Sequence, residues 1–109
     1  MIATMPKPPY YAVIFTSLLK KDQEGYAEMA EKMEQLAKEQ LGYLGFESAR
    51  SEIGISISYW KDLASIQDWK NNSDHLLAQK LGKEKWYSSY HIRISKVERA
   101  YEFNTKENN

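Results

Sequence analysis

A chain of 109 residues is long enough for one domain, which would bury roughly two thirds of its unfolded surface by the size scaling of small domains. It contains no cysteine, so disulfides, thiolate metal sites and cysteine nucleophiles are excluded, and an intracellular protein is expected. Fifteen basic side chains balance fifteen acidic ones without a long run of either sign, so neither nucleic acid nor an anionic membrane is an expected partner.

Residues 1–9 carry Pro6, Pro8 and Pro9, which have no backbone N–H to donate, and the segment reads as an extended arm ahead of a single domain over 10–103. It holds no apolar run of signal-peptide length, and nothing later approaches the ~18 apolar residues of a membrane span, so a soluble, cytoplasmic protein is expected. Tyr10 to Leu19 is rich in β-branched and aromatic residues and predicts the first strand. Asp22 can cap a helix whose apolar residues Tyr26, Met29, Met33, Leu36, Ala37 and Leu41 step by threes and fours, with Gly42 as its C-terminal cap. Leu44 to Arg50 and Ile53 to Trp60 read as two strands joined through Ser51-Glu52, a hairpin.

The second hairpin strand has two unlike faces. Side chains alternate along a strand, so Ile53, Ile55, Ile57 and Tyr59 point one way, and Gly54, Ser56, Ser58 and Trp60 the other. A face of glycine and serine leaves free volume above it, and the indole at its end can wall that volume. Asp62 caps a second helix from Leu63 to about Lys70, with Leu63, Ile66 and Trp69 on one face. Asn71-Asn72 are expected to break it, and Ser73 to cap a further piece from Asp74 to Leu81, closed by Gly82. Ser88 to Phe103 reads as a final strand longer than the usual five or six residues, one that outruns its own sheet. A polar tail over 104–109 follows.

The order βαββαβ is that of a ferredoxin-like α+β sandwich, an antiparallel sheet with both helices on one face. If the Ser/Trp face lies beneath the helices, the isoleucine face needs its own cover, and a second copy of the chain would supply it. A homodimer is therefore expected.

Two distant histidines without cysteine make a poor metal set, so no metal is expected. Gly42 and Gly45 flank a helix exit, the wrong end for cradling phosphate, and no serine sits in a Gly-x-Ser-x-Gly setting. His75, beside the Ser73 cap, suits an acid/base group or haem ligand at a pocket mouth, and equally a surface histidine packed on its neighbours. His91 on the last strand reads as an edge or dimer-seam imidazole. Trp60, Trp69, Trp86, Tyr87 and Tyr90 could line a cavity for a flat apolar ligand or serve as ordinary core aromatics. Arg50, ending the second strand, could meet a ligand carboxylate or phenolate, or simply remain solvated.

Gly45-Phe-Glu-Ser-Ala-Arg50, Gly54-Ile-Ser-Ile-Ser-Tyr-Trp60, Ile66-Gln-Asp-Trp-Lys70, His75-Leu-Leu-Ala-Gln79 and Trp86-Tyr87 resemble the antibiotic biosynthesis monooxygenase superfamily, in its small bacterial branch. The match runs from about Tyr10 to Tyr101. The resemblance implies a dimeric α/β barrel built from two ferredoxin-like subunits, each with a pocket between sheet and helices. Cofactor-free monooxygenases of aromatic polyketides in this superfamily use an Asn on the third strand, a Trp four residues on and a Tyr six beyond. Here these positions hold Ser56, Trp60 and Ile66. Haem-degrading relatives use a Trp followed ten residues later by a His, where this chain has Trp69 and Gln79.

Two functions are consistent with this pattern. The first is a monooxygenase that oxidises a small aromatic or quinone-like compound without metal or flavin. Trp60 and Trp69 would wall its site, His75 or Tyr90 move the proton, Arg50 steady an oxyanion, and Ser56, Ser58 and Trp86 contact the substrate. The second is a protein that binds a small apolar ligand, haem included, without turnover.

Overall fold

The computed structural model describes residues 2–79 and 82–105. Seven elements follow one another: β1 Tyr10–Leu19, α1 Tyr26–Lys38, β2 Tyr43–Arg50, β3 Gly54–Trp60, α2 Leu63–Gln79, α3 Gly82–Trp86 and β4 Tyr87–Val97. The strands form one sheet in the order β2-β3-β1-β4, with every neighbouring pair antiparallel. This is the ferredoxin-like α+β arrangement expected from the element order.

The polar face of β3 lies under the helices. Trp60 and Val13 pack with Ala37 of α1 and Ile66 of α2, with Tyr11, Tyr43 and Trp69 around them. A second cluster joins Met29 of α1 to Trp86 and Tyr87, flanked by Phe15, Tyr26, Met33, Leu77 and Tyr90. Because Ser56 and Ser58 are short, the sheet between these clusters carries little bulk beneath the helices.

Several local outcomes differ from the expectation. Helix α1 stops at Lys38, because the N–H groups of Glu39 and Gln40 turn back to Leu36 and Ala37 in tight i to i+3 bonds of 3.2 and 3.1 Å. Leu41 therefore lies outside the helix, 92% exposed, and Gly42 turns the chain at φ 86° directly against Ser65. Asp22 does not cap α1 but accepts the Glu24 N–H in the preceding turn, and left-handed Gly25 takes the cap position.

Helix α2 runs unbroken through Asn71-Asn72. Its polar residues satisfy one another within the helix: Gln67 donates to Asn71, Asn72 to the Asp68 carbonyl and Ser73 to the Lys70 carbonyl, while Lys70 pairs with Asp74 at 2.8 Å. Asp62 does cap it, accepting the Ser65 N–H at 2.8 Å, and this bond holds its carboxyl below the usual range. The expected helical piece reaching Leu81 extends, at 80 and 81, outside the described residues.

A short helix, α3, precedes β4, and the last strand ends at Val97, opposite Tyr10, where β1 offers no further partner. The chain beyond it runs without ladder pairing, leaving Tyr101 and Phe103 exposed. Of the polar tail, 104 and 105 are described. Finally, the N-terminal arm is clasped to the sheet. The Ala3 N–H donates to Glu47 at 3.0 Å, the Tyr59 hydroxyl donates to the other oxygen of the same carboxylate at 2.7 Å, and Met5 lies against Gly45. This clasp sits on the face turned away from the helices and buries Tyr10 and Ala12 there, with Tyr10 edge-on to Tyr59.

Candidate functional site

Between the two packed clusters lies a cavity of about 810 Å³, within the size range of small-molecule sites. Its floor is a set of cross-strand rows fixed by the register of the sheet. Arg50 and Tyr90 face the space from the two ends of one row, with Gly54 and Ser17 covered between them, and Ser48, Ser56, Phe15 and Ile92 form the next. Phe46, Ser58, Val13 and Ile94 complete it. Helix α1 contributes Tyr26, Met29, Ala30 and Met33 to the opposite wall, and α2 contributes Ile66, Trp69 and Leu77.

One end of the cavity is an aromatic box. Phe15 stacks on Tyr90 at 5.1 Å, and Tyr87 meets Phe15, Tyr26 and Tyr90 edge-on. Burial, reinforced by the neighbouring Tyr26 phenol, pushes the Tyr87 hydroxyl well above its ordinary range. Tyr87 is thus a hydrogen-bonding phenol at neutral pH and not a base.

Arg50 stands at the head of the box. Its guanidinium donates to the Ser17 hydroxyl, to the Ser17 carbonyl at 3.5 Å and to the Tyr26 hydroxyl at 3.3 Å, and lies over the Tyr26 ring 5.5 Å from its centre. The other end is closed by Trp69, which stacks on Trp60 at 5.7 Å. Polar rim groups largely pair off: Lys38 with Glu34, and Lys70 with Asp74.

The residues singled out in the sequence separate into two groups. Trp69, Tyr90, Ser56, Ser58 and Arg50 all line the cavity. Trp60 stands behind its wall, fully buried, with its indole N–H donating to Ser58 at 2.8 Å, so it supports Trp69 without facing the space. Trp86 packs beneath the start of α1, donating to the Glu24 carbonyl at 2.7 Å, and borders a smaller recess with Gly25, Glu28 and Lys32. His75 is exposed on α2 and His91 on β4, and neither lines the cavity. Among the described residues no group of three His, Asp or Glu could hold a metal ion, and no helix is long and apolar enough to cross a membrane.

Ser17 and Tyr26 were not foreseen as the partners of Arg50. Ser17 shares strand parity with Val13 and Phe15, which would have placed it on this face. Tyr26 follows the core stripe of α1, and nothing in that periodicity announces a hydroxyl aimed at an arginine.

No family model matches the sequence. The chain is 41% identical over 109 residues to YqjZ, an uncharacterised protein of Bacillus subtilis, covering 98% of this chain and 96% of that protein. It is 33% identical over 43 residues to the jasmonate monooxygenase ABM of Pyricularia oryzae, covering 39% of this chain and 20% of that protein. Among solved structures, SnoaB of Streptomyces nogalater, a cofactor-independent oxygenase, superposes with a TM-score of 0.70 at 8% identity, covering 85% of this chain and 97% of that one.

Proposed function

We propose that the chain belongs to the antibiotic biosynthesis monooxygenase superfamily, a reading supported by its short match to the jasmonate monooxygenase and by the fold it shares with SnoaB, and that it oxidises a small aromatic or quinone-like compound without metal or flavin. The observation that carries this reading is the cavity itself: about 810 Å³, floored by serines and bounded by Trp69 at one end and by Phe15, Tyr87 and Tyr90 at the other. That shape suits a flat ring system. The reaction asks little of the protein beyond positioning. An electron-rich hydroxyarene or anthrone supplies the electrons, and dioxygen takes them. A ring CH₂ and O₂ become C=O and H₂O, with one oxygen atom retained in each product.

In this arrangement Trp69 walls the ring system, Ser56 and Ser58 meet its polar edge, and Arg50 steadies the oxyanion formed when the substrate loses its proton. Tyr90, within the lining, is better placed than His75 to hydrogen-bond that oxyanion, and the proton passes to water at the open rim. An oxygen-electrode assay with a panel of hydroxynaphthalenes and anthrones tests the proposal. Uptake above buffer that falls on Trp69→Ala supports it, and no uptake across the panel refutes it.

A second reading, a binder without turnover, is favoured by one specific observation. Ile66, standing where polyketide monooxygenases of the superfamily carry Tyr, is an apolar part of the cavity wall, packed beside Trp60 and Val13. A cavity that keeps its rings while a polar lining position has become apolar can hold a ligand and leave it unchanged. Native mass spectrometry showing a ligand released unaltered would support this reading. For haem, the readout is a Soret band lost in His75→Ala.

The assembly we propose is a homodimer. On the face turned from the helices, the arm covers the Tyr10, Ala12 and Tyr59 region. Beyond it Ile14 pairs with Ile57 and Thr16 with Ile55, and Ile55, Ile53 and Leu18 are exposed. An apolar row of this kind suits a second copy of the same sheet.

A further inference from the structure

We propose that the cavity selects a flat ligand carrying an anionic head group of carboxylate type, with the head held by Arg50 and the ring system extending toward Trp69. This rests on the cavity described above and is independent of whether turnover follows.

The positioning of Arg50 is built into the sheet. Arg50, Gly54 and Ser17 are consecutive partners across β2, β3 and β1. The guanidinium crosses β3 over Gly54, the one residue of that row without a side chain; a Cβ there would overlap the guanidinium itself. It then reaches Ser17, which is only 2% exposed and offers both its carbonyl and its hydroxyl. With the bond to Tyr26, three of the five N–H donors are used, and two remain for a ligand.

All the acceptors that hold Arg50 are neutral. The ion pairs of the described residues are Lys38 with Glu34 and Lys70 with Asp74, so no carboxylate among them quenches its charge. A guanidinium fixed by neutral groups beside aromatic rings is a fork suited to a planar anion, and charge-assisted bonds of this kind are the strong ones. From the Arg50 row to the Ser58 row is four residues along a strand, roughly 14 Å at about 3.4 Å per residue, enough for a bicyclic or tricyclic body beyond the head group. Glu31 also lines the cavity, so the opposite preference, for a cation, is the competing outcome.

Isothermal titration with 2-naphthoate, its neutral isostere 2-naphthamide and 2-naphthylmethylammonium decides between them. The naphthoate is expected to bind about tenfold more tightly than the amide at low ionic strength, a difference that shrinks as salt screens the pair. Arg50→Gln should bring the two within about twofold, Arg50→Lys should retain part of the preference, and Arg99→Gln, remote from the cavity, should leave it intact. Circular dichroism melts confirm folding of each variant. Equal binding of acid and amide overturns the proposal, as do a preference that survives Arg50→Gln, tightest binding of the ammonium, or no binding of any probe. An anion preference without oxygen uptake refutes the monooxygenase reading alone; oxygen uptake without the preference refutes this one alone.

Discussion

Arg50 lies across Gly54, and the absence of a side chain at Gly54 is what gives its guanidinium a path to Ser17. Gly54 sits in an ordinary strand conformation, so Gly54→Ala meets no backbone penalty and is expected to keep the fold. It should nonetheless displace Arg50. The expected result is a melting temperature within a few degrees of the parent and a loss of naphthoate preference comparable to Arg50→Gln, although Arg50 itself is unchanged.

Trp60 and Trp69 stack face to face but serve different ends, and their substitutions should separate. Trp60 is fully buried and its indole N–H is bonded to the buried Ser58 hydroxyl. Trp60→Phe leaves that hydroxyl without its donor and opens space in the core, at a cost of about 2 kcal/mol in denaturant unfolding. Trp69→Phe, at the cavity wall, should cost less stability and weaken ligand affinity more.

The arm clasp predicts an alkaline limit. Burial, together with the bond to Glu47, pushes the Tyr59 hydroxyl from 10.0 up to about 12. A native pKa above the unfolded one means that the folded state holds its proton longer. The clasp's contribution is therefore complete below about pH 10 and lost as pH rises through about 12. Tyr59→Phe should flatten that part of the stability profile while leaving it little changed near pH 7. An unaltered alkaline profile would contradict the clasp.

The isoleucine face predicts the assembly. Light scattering on the parent protein should give the mass of two chains, and Ile57→Glu, which places a charge opposite Ile14 on that face, should give the mass of one. A parent protein that remains a single chain at tens of micromolar would contradict the homodimer.

Much of the fold was legible because its signals are local. The alternation of Ile53 to Trp60 identified the two faces of β3, and the serine and tryptophan side does lie under the helices. Asp62 announced its own cap. The unbroken course of α2 was missed because polar side chains that read as breakers found partners along the helix and beyond it. Asn72 is held by Gln40, which is 32 residues away, as well as by its own helix. The cavity was legible in part. Ser56, Ser58, Trp69 and Tyr90 follow from strand parity and ring content and Arg50 from its charge at a strand end, whereas the Ser17, Gly54 and Arg50 row depends on cross-strand register, which no single segment encodes. Trp60 and Trp86 bury their rings and satisfy their N–H groups in the core, an outcome that composition cannot distinguish from lining a cavity.

The monooxygenase claim is tested most directly by isotope transfer. The protein, treated with chelator and freed of flavin, is incubated under ¹⁸O₂ with an anthrone that binds the cavity, and the product is weighed by mass spectrometry. The account predicts one atom of ¹⁸O per oxidised product, formed faster than in buffer and lost in Trp69→Ala. An anthrone that binds yet is recovered unlabelled and unchanged would contradict it.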